Sequence, residues 1–478
     1  MPSRSEWVVG RTEARSRGGM VAAKTPVAAE AGATVLANGG NAVDAAVTTA
    51  LAACVVEPWM NGVGGGGYMV IHQPGEAKAT VISYPMISAS AATPAMYTMG
   101  GADAGFFGWP SVVDNANVMG PMSVGLPGTI AGTALALEKF GTITLAQALA
   151  PAIALAEEGF PVTWHTTLKI AQDLALLTKH ESTRAIFTNQ GNPWKSLDET
   201  HPTMLRQPEL AATMRQISDQ GPRALYEGEL AVKIVDALAA AGNPITVADM
   251  AAYQASVEEA LAVPFHDAVI HAPGFGTGGT TLAEGFLLLG GMDLAAMPYA
   301  GADYLHHLAE AFKIAFADRF AYLADPEKME VPLERLLSAG YLDARRNEID
   351  PLKATPARAG VRAALGVGHK LEASVPDYTS DGSTTHHSVI DRNGMAVATT
   401  QTLLSLWGSG FTVPGTGILM NNGMMWFDPQ AGRPNSVGGS KKPLCNMAPT
   451  LVTRENTAFA ALGASGGRRI MNCVAQMA

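Results

Sequence analysis

Ser383-Thr384-Thr385-His386 stands where a poorly patterned stretch gives way to the β-like run Ser388-Val389-Ile390-Asp391-Arg392-Asn393-Gly394. A cut before Thr384 would leave one residue carrying both a hydroxyl and a free α-amine. A threonine hydroxyl is a weak nucleophile until a base takes its proton, and an α-amine with a reference pKa near ~7.7–8.0 can do so at neutral pH. The alternative is a strand with a polar opening, in which Thr384 does no chemistry. His386 offers a second base, but beside an N-terminal amine it reads as structural. The run Gly64 to Gly67 is not a phosphate loop, because no Lys-Ser/Thr follows and a strand comes next. His306, His307 and Glu310 have metal-ligand spacing on one helix without a third ligand, so neither a metal nor a cofactor is expected.

The elements that would hold such a threonine are readable from periodicity. Residues 26 to 55 carry Leu36, Val43, Val47 and Leu51 at helical spacing, with Gly39-Gly40-Asn41 as a stop and restart. Further helices are expected from about Ile130 to Phe160, broken at Phe140-Gly141, and from Ala302 to Leu323. Tyr68 to His72 and the region Val263 to Ile270 read as strands. After Thr384 the pattern turns β, through Met395 to Thr400, Leu451 to Thr453 and Phe459 to Leu462, with Asn393-Gly394 predicting a type I′ hairpin. Between about 351 and 383 the pattern fades into what reads as a mobile tail. Trp407, Trp426, Met424 and Met425 read most simply as core.

Composition narrows the function classes. In 478 residues, 47% hydrophobic content supplies material for a large core. The formal charge of −10 and the absence of any Lys/Arg block argue against nucleic acid or an anionic membrane as partner. Cys54, Cys445 and Cys473 are too scattered for a disulfide framework or a zinc site. The first twenty residues lack an apolar signal-peptide core, and the apolar stretch from Ala42 to Val56 is too short for a membrane span. A cytoplasmic enzyme with a small-molecule partner is the expectation.

Several blocks occur in one order along the chain: Gly39-Gly40-Asn41-Ala42-Val43-Asp44-Ala45-Ala46, Val56-Glu57-Pro58 with Gly64 to Met69, Leu126-Pro127-Gly128-Thr129-Ile130-Ala131-Gly132, and Glu310-Ala311-Phe312 with Ala317-Asp318-Arg319. Gly417 to Asn422, Met447-Ala448-Pro449-Thr450 and Gly466-Gly467-Arg468-Arg469-Ile470 complete the set. Together they make the chain resemble the γ-glutamyltransferase family of N-terminal-nucleophile hydrolases. The resemblance implies an α+β fold, the αββα sandwich of two stacked antiparallel sheets between helical layers. It also implies self-cleavage between Ser383 and Thr384 into a large subunit (1–383) and a small one (384–478), which would stay together as partners. A higher homo-oligomer is compatible with it. Thr384 would be nucleophile and base, Thr402 a hydroxyl bonded to the nucleophile, and the N–H groups of Gly466 and Gly467 the oxyanion donors.

The same resemblance locates a departure. Where the family grips the α-carboxylate and α-amine of a γ-glutamyl group, the arginine aligns with Pro85, after Tyr84. The paired serines align with Cys445 and Asn446, and the three groups around the amine with Leu404, Gly423 and Trp426. Only Asn446 is polar, so the acyl group is expected to lack the α-amine. Arg468 would be either a new partner for a substrate carboxylate or a surface arginine. The alternatives are a true γ-glutamyl hydrolase or transpeptidase acting on glutathione-like substrates, and a binding homologue without catalysis.

Overall fold

The computed structural model describes residues 13–104, 108–196, 198, 200–366 and 382–478. Ten strands form two sheets. The six-stranded sheet is made from β1 (Gly19–Ala23), β2 (Gly66–His72), β3 (Thr80–Tyr84), β4 (Ser256–Glu259), β7 (Gly382–Asp391) and β8 (Ala396–Ser405), in the order β1-β7-β8-β2-β3-β4. The four-stranded sheet is β5 (Leu261–Phe265), β6 (Ala268–Ala272), β9 (Thr450–Arg454) and β10 (Thr457–Leu462), in that order. All neighbouring strands within these two sheets are antiparallel. The strand carrying Thr384 is thus interior, with β1 on one side and β8 on the other.

Three apolar clusters show that the sheets are stacked between helices. Helices α1 (Pro26–Ala37), α2 (Ala42–Val56), α3 (Thr129–Phe140) and α4 (Leu145–Glu158) cover the outer face of the six-stranded sheet. Helices α5 (Gly278–Leu289), α6 (Ala302–Tyr322), α7 (Ala339–Arg346) and α8 (Arg469–Met477) build the core outside the four-stranded sheet. Between the sheets, Tyr68, Val70, Val81, Ala396 and Ala398 meet Met447, Leu451, Ala458 and Ala461. This is the αββα sandwich that the resemblance implied. Among the described residues, no helix is long and apolar enough to cross a membrane.

The glycine-rich and acidic blocks are explained by close approach and capping. Asn41 caps α2, its side chain accepting from Val43 and Asp44 N–H, and buried Asp44 accepts from Asn41, Thr142 and Ile143, tying α2 to the α3–α4 turn. Gly67 lies in β2 between β8 and β3, where a Cβ would come 2.6 Å from the Thr400 carbonyl oxygen and 2.8 Å from the Tyr84 ring. The glycine run therefore serves sheet packing.

Two local expectations need correction. The β7–β8 hairpin is not a type I′ turn, because Gly394 (φ 87°) has positive φ and Asn393 does not. The Asp391 carboxylate instead accepts from Asn393 and Met395 N–H and shapes a longer loop. The tail from about 351 is anchored over its first part. Thr355 bonds Glu310, Gly360 N–H donates to Asp318, Tyr322 donates to the Gly360 carbonyl, and Leu365 is buried. The rest of that tail, 367–381, lies outside the described residues.

Replacing Gly67 by alanine should push β2 against β8 and lower stability by roughly 1–3 kcal/mol, the usual cost of an added group in a close-packed interior. Urea unfolding of an uncleaved Thr384→Ala background measures this, and an unchanged midpoint would refute the packing account.

Candidate active site

The β7–β8 pairing is regular except at one place. Ser383 pairs with Leu404 and Thr385 with Gln401, so two residues of β8 stand opposite Thr384 alone. The misfit is a β-bulge beside the bond of interest. Leu404 has φ 97°, a conformation that costs a non-glycine residue of order 1–3 kcal/mol and persists when the surroundings enforce it. Asn422 supplies that enforcement: its N–H donates to Leu403 O, and its side-chain oxygen accepts from Ser405 N–H.

The bulge brings two hydroxyls to one carbonyl. Thr384 Oγ1 donates to the Ser383 carbonyl oxygen at 2.7 Å, and Thr402 Oγ1 donates to the same oxygen at 2.5 Å. Leu404 N–H occupies a lone pair of Thr402 Oγ1 at 2.7 Å, which aims its hydrogen at Ser383. In this uncut chain the Thr402 bond goes to the carbonyl before Thr384, whereas the resemblance had it going to the nucleophile. The neighbouring side chains are held on the helical side. Ser383 Oγ donates to the Trp59 carbonyl, and Thr385 Oγ1 donates to Glu57 at 2.7 Å. Glu57 caps the end of α2 and also accepts from Thr25. Thr384 itself is buried, 3% exposed.

Both histidines of the strand are occupied. His386 Nδ1 bonds Thr400 Oγ1 and Nε2 bonds Ser388 Oγ, each at 2.9 Å, and burial pushes its pKa down to about 3. His387 bonds the Ala46 carbonyl, and burial lowers it to about 4. A neutral, doubly bonded His386 fits the structural role predicted for it.

Gly466 (φ 120°) and Gly467 (φ 59°) need glycine's conformational freedom at the turn into α8. Their carbonyls start the helix, accepting from the N–H groups of Arg469 and Ile470. Ser388 Oγ reaches Ala461 O, and a Cβ at Gly463 would lie 2.1 Å from the His386 ring. The end of β10 thus runs beside β7 as far as His386, and Gly466 and Gly467 follow three and four residues after Gly463.

Beside Leu404 the inter-sheet cluster becomes an apolar patch. Met86, Trp109, Val118, Met425, Trp426 and Cys445 belong to it with Leu404, and Phe320 packs against it. Gly423 abuts the Met86 side chain, and Pro85 is buried with its carbonyl held by Tyr253. Leu404, Trp426 and Cys445 thus share one buried cluster with Met86, and Gly423 lies against Met86. Tyr84 does not join them: its ring faces the helical layer, where a Cβ on Gly132 of α3 would collide with it. Trp109 and Phe320 were not anticipated; their rings meet edge to face at 5.9 Å, and the one available hint was Phe320 following Ala317-Asp318-Arg319. Arg468 is no surface residue. It is 7% exposed, its guanidinium 4.7 Å from the Phe320 ring centre, on the wall of a groove of about 580 Å³ between α6 and α8. Elsewhere on α6, His306 and His307 bond the carbonyls of Asp350 and Asp303, and Glu310 pairs with Lys313. No group of three metal-ligand side chains exists among the described residues.

Comparison with known proteins agrees with this fold. The family model for gamma-glutamyltranspeptidase matches residues 28–478. The chain is 33% identical over 471 residues to a glutathione hydrolase proenzyme of Pseudomonas sp. (strain A14), covering 95% of this chain and 76% of that protein. It is 35% identical over 472 residues to an acylase ACY 1 proenzyme of Pseudomonas sp. (strain V22), covering 98% and 80%. Among solved structures, cephalosporin acylase from Bacillus halodurans superposes with a TM-score of 0.82 at 25% identity, covering 98% of this chain and 82% of that one. Helicobacter pylori gamma-glutamyltranspeptidase does so at 0.67 and 27% identity, covering 75% and 99%.

Thr402→Val keeps the shape of the side chain and removes one of the two donors on the Ser383 carbonyl. Appearance of the 384–478 fragment on denaturing gels should slow on the order of 10²-fold, as for loss of one oxyanion donor; a wild-type rate would remove Thr402 from the cleavage site. A second expectation concerns acid. Because His386 and His387 titrate lower in the fold than the ordinary 6.5, the unfolded chain binds protons first as pH falls. Their contribution to stability is complete above pH 6.5 and is lost on acidification towards pH 4. The melting temperature of Thr384→Ala should fall over that window, with a shallower slope in a further His386→Asn variant; equal slopes would contradict it.

Proposed function

Since the chain belongs to the γ-glutamyltranspeptidase family, we propose that it is made as one piece, cuts itself between Ser383 and Thr384, and then cleaves an amide whose acyl group lacks an α-amine. The carrying observation is the buried apolar cluster that holds Met86, Trp109, Trp426 and Cys445 and reaches the Ser383–Thr384 bond through Leu404, the partner of Ser383. In the first step, Thr384 Oγ attacks the Ser383 carbonyl carbon and the peptide nitrogen leaves as the α-amine, giving an ester that water hydrolyses. As the Thr384 Oγ proton passes to the leaving nitrogen, the Thr402 hydroxyl that donates to the Ser383 oxygen draws charge onto it and favours that attack.

In turnover, the freed amine takes the proton of Thr384 Oγ as the hydroxyl attacks the substrate carbonyl. The oxyanion is held by the amides of Gly466 and Gly467. Collapse expels the amine product with that proton, and water, activated by the same α-amine, releases the acid. A bound ammonium among Leu404, Trp426 and Met86 would lose its hydration without gaining partners, which costs several kcal/mol. An apolar methylene chain gains roughly 25 cal/mol per Å² buried there. The names of the relatives support both an acylase and a glutathione hydrolase reading, and the patch favours the first.

Thr384→Ala should remain a single uncut band on denaturing electrophoresis and show no amidase activity. For the processed enzyme, kcat/KM on glutaryl-p-nitroanilide should exceed that on γ-glutamyl-p-nitroanilide at least tenfold. Equal or higher values on the γ-glutamyl compound would return the protein to ordinary γ-glutamyl chemistry.

A further inference from the structure

We propose that a cavity of about 300 Å³, between the β2–β3–β4 end of the six-stranded sheet and the loops that face it, binds a small organic ammonium ion held by Ser83 and Glu258. Such a site requires neither self-cleavage nor amide turnover, and Thr384 stands on β7, two strands away from β2 in the sheet order. Tyr68, Ser83 and Ser256 are opposite one another on β2, β3 and β4, so their side chains share one face of the sheet, and strand alternation puts Glu258 on that face too. Tyr68 belongs to the cluster between the sheets, which makes this the inner face. The facing wall comes from Gly274 to Thr277 after β6, Asp325 to Glu327 after α6, and Lys442-Pro443.

That wall is fixed before any ligand arrives. Buried Asp325 accepts from Lys442 N–H at 2.8 Å and from Glu327 N–H at 3.0 Å, and the Gly276 carbonyl accepts from Cys445 N–H at 2.8 Å. Ser83 is 2% exposed, and among the described residues no group bonds its hydroxyl. A buried hydroxyl without a partner is costly, so whatever fills the cavity supplies one. The charge of the lining decides what that is. Glu258, Asp325 and Glu327 set three carboxylates against the one ammonium of Lys442, whose head group pairs with Glu327 at 2.8 Å. Lys442 reports the resulting field: burial opposes its charge, yet the bond to Glu327 and the fields of Glu327, Glu258 and Asp325 raise its pKa above the ordinary lysine value. A second cation is favoured there and an anion is not, and Tyr68 and Phe275 add aromatic lining. At the ~30 Å³ that one water takes up in the liquid, the volume admits about ten non-hydrogen atoms, the size of a phenylalkylammonium.

Calorimetry on the full-length, uncut Thr384→Ala chain tests this with three probes of matched size, 2-phenylethylammonium, 2-phenylethanol and 3-phenylpropanoate. The ammonium should bind at one site, at least tenfold more tightly than the alcohol or the acid. Glu258→Gln, a change on an edge strand, should weaken the ammonium at least tenfold and leave the alcohol unchanged. Ser83→Ala should weaken the ammonium at least threefold, and Glu258→Lys, which supplies an ammonium from the chain itself, should abolish its binding. Equal affinities for the three probes, or no saturable binding of the ammonium, would mean a cavity that holds water only and would overturn the proposal. Ammonium binding that both Glu258→Gln and Ser83→Ala leave unchanged would overturn it too, since the cation would then sit elsewhere. Every one of these readouts is independent of amide cleavage, so a failure of the amidase reading is told apart from a failure of this one.

Discussion

The carbonyl oxygen of Ser383 is the point on which the arrangement depends. It accepts from the hydroxyl that follows it and from the hydroxyl of Thr402 across the bulge. The second donor reaches across the place where β8 carries one residue more than β7, and Leu404 there stands at positive φ. Asn422 enforces the bulge, and Asn421 fastens the same loop to Gly64 and Gly125. On the helical side Glu57 holds Thr385 in place. An interior strand with rigid neighbours on both faces is a suitable place for a reaction that needs one carbonyl presented in one orientation.

The same rigidity limits the proposed acyl site. The patch beside the bulge is built from Met86, Trp109, Leu404, Met425 and Trp426, residues whose side chains carry no charge. Arg468, stacked on Phe320, and Arg319, spanning two loops, are buried cations serving different surfaces. Burial lowers Arg319 to about 10, so it remains charged at neutral pH, and neutral oxygens surround that charge.

Much of this was legible from residue pattern because local rules and tertiary structure agree. The stop at Gly39-Gly40-Asn41 is a capped helix start, and the break at Phe140-Gly141 separates α3 from α4. The β pattern after Thr384 becomes β7 to β10. Expectations failed where a distant group decides. Asn393-Gly394 reads as a two-residue turn until the Asp391 carboxylate claims the amides of Asn393 and Met395. The start of the tail at 351–366 looks unpatterned, yet Glu310 and Asp318 on α6 anchor it. Tyr84 sits next to a position aligned with a substrate contact, but strand alternation sends its ring to the opposite face. Trp109 and Phe320 meet only through the fold, so no spacing in the chain announces them.

The central claim is that the folded chain cuts itself at one bond with its own hydroxyl. Purified uncut chain, incubated alone at several concentrations and followed by intact mass and N-terminal sequencing of the small fragment, tests it most directly. The account requires a fragment beginning at Thr384, formed at a first-order rate independent of protein concentration. A chain that stays whole, a fragment beginning elsewhere, or a rate rising with concentration would contradict it.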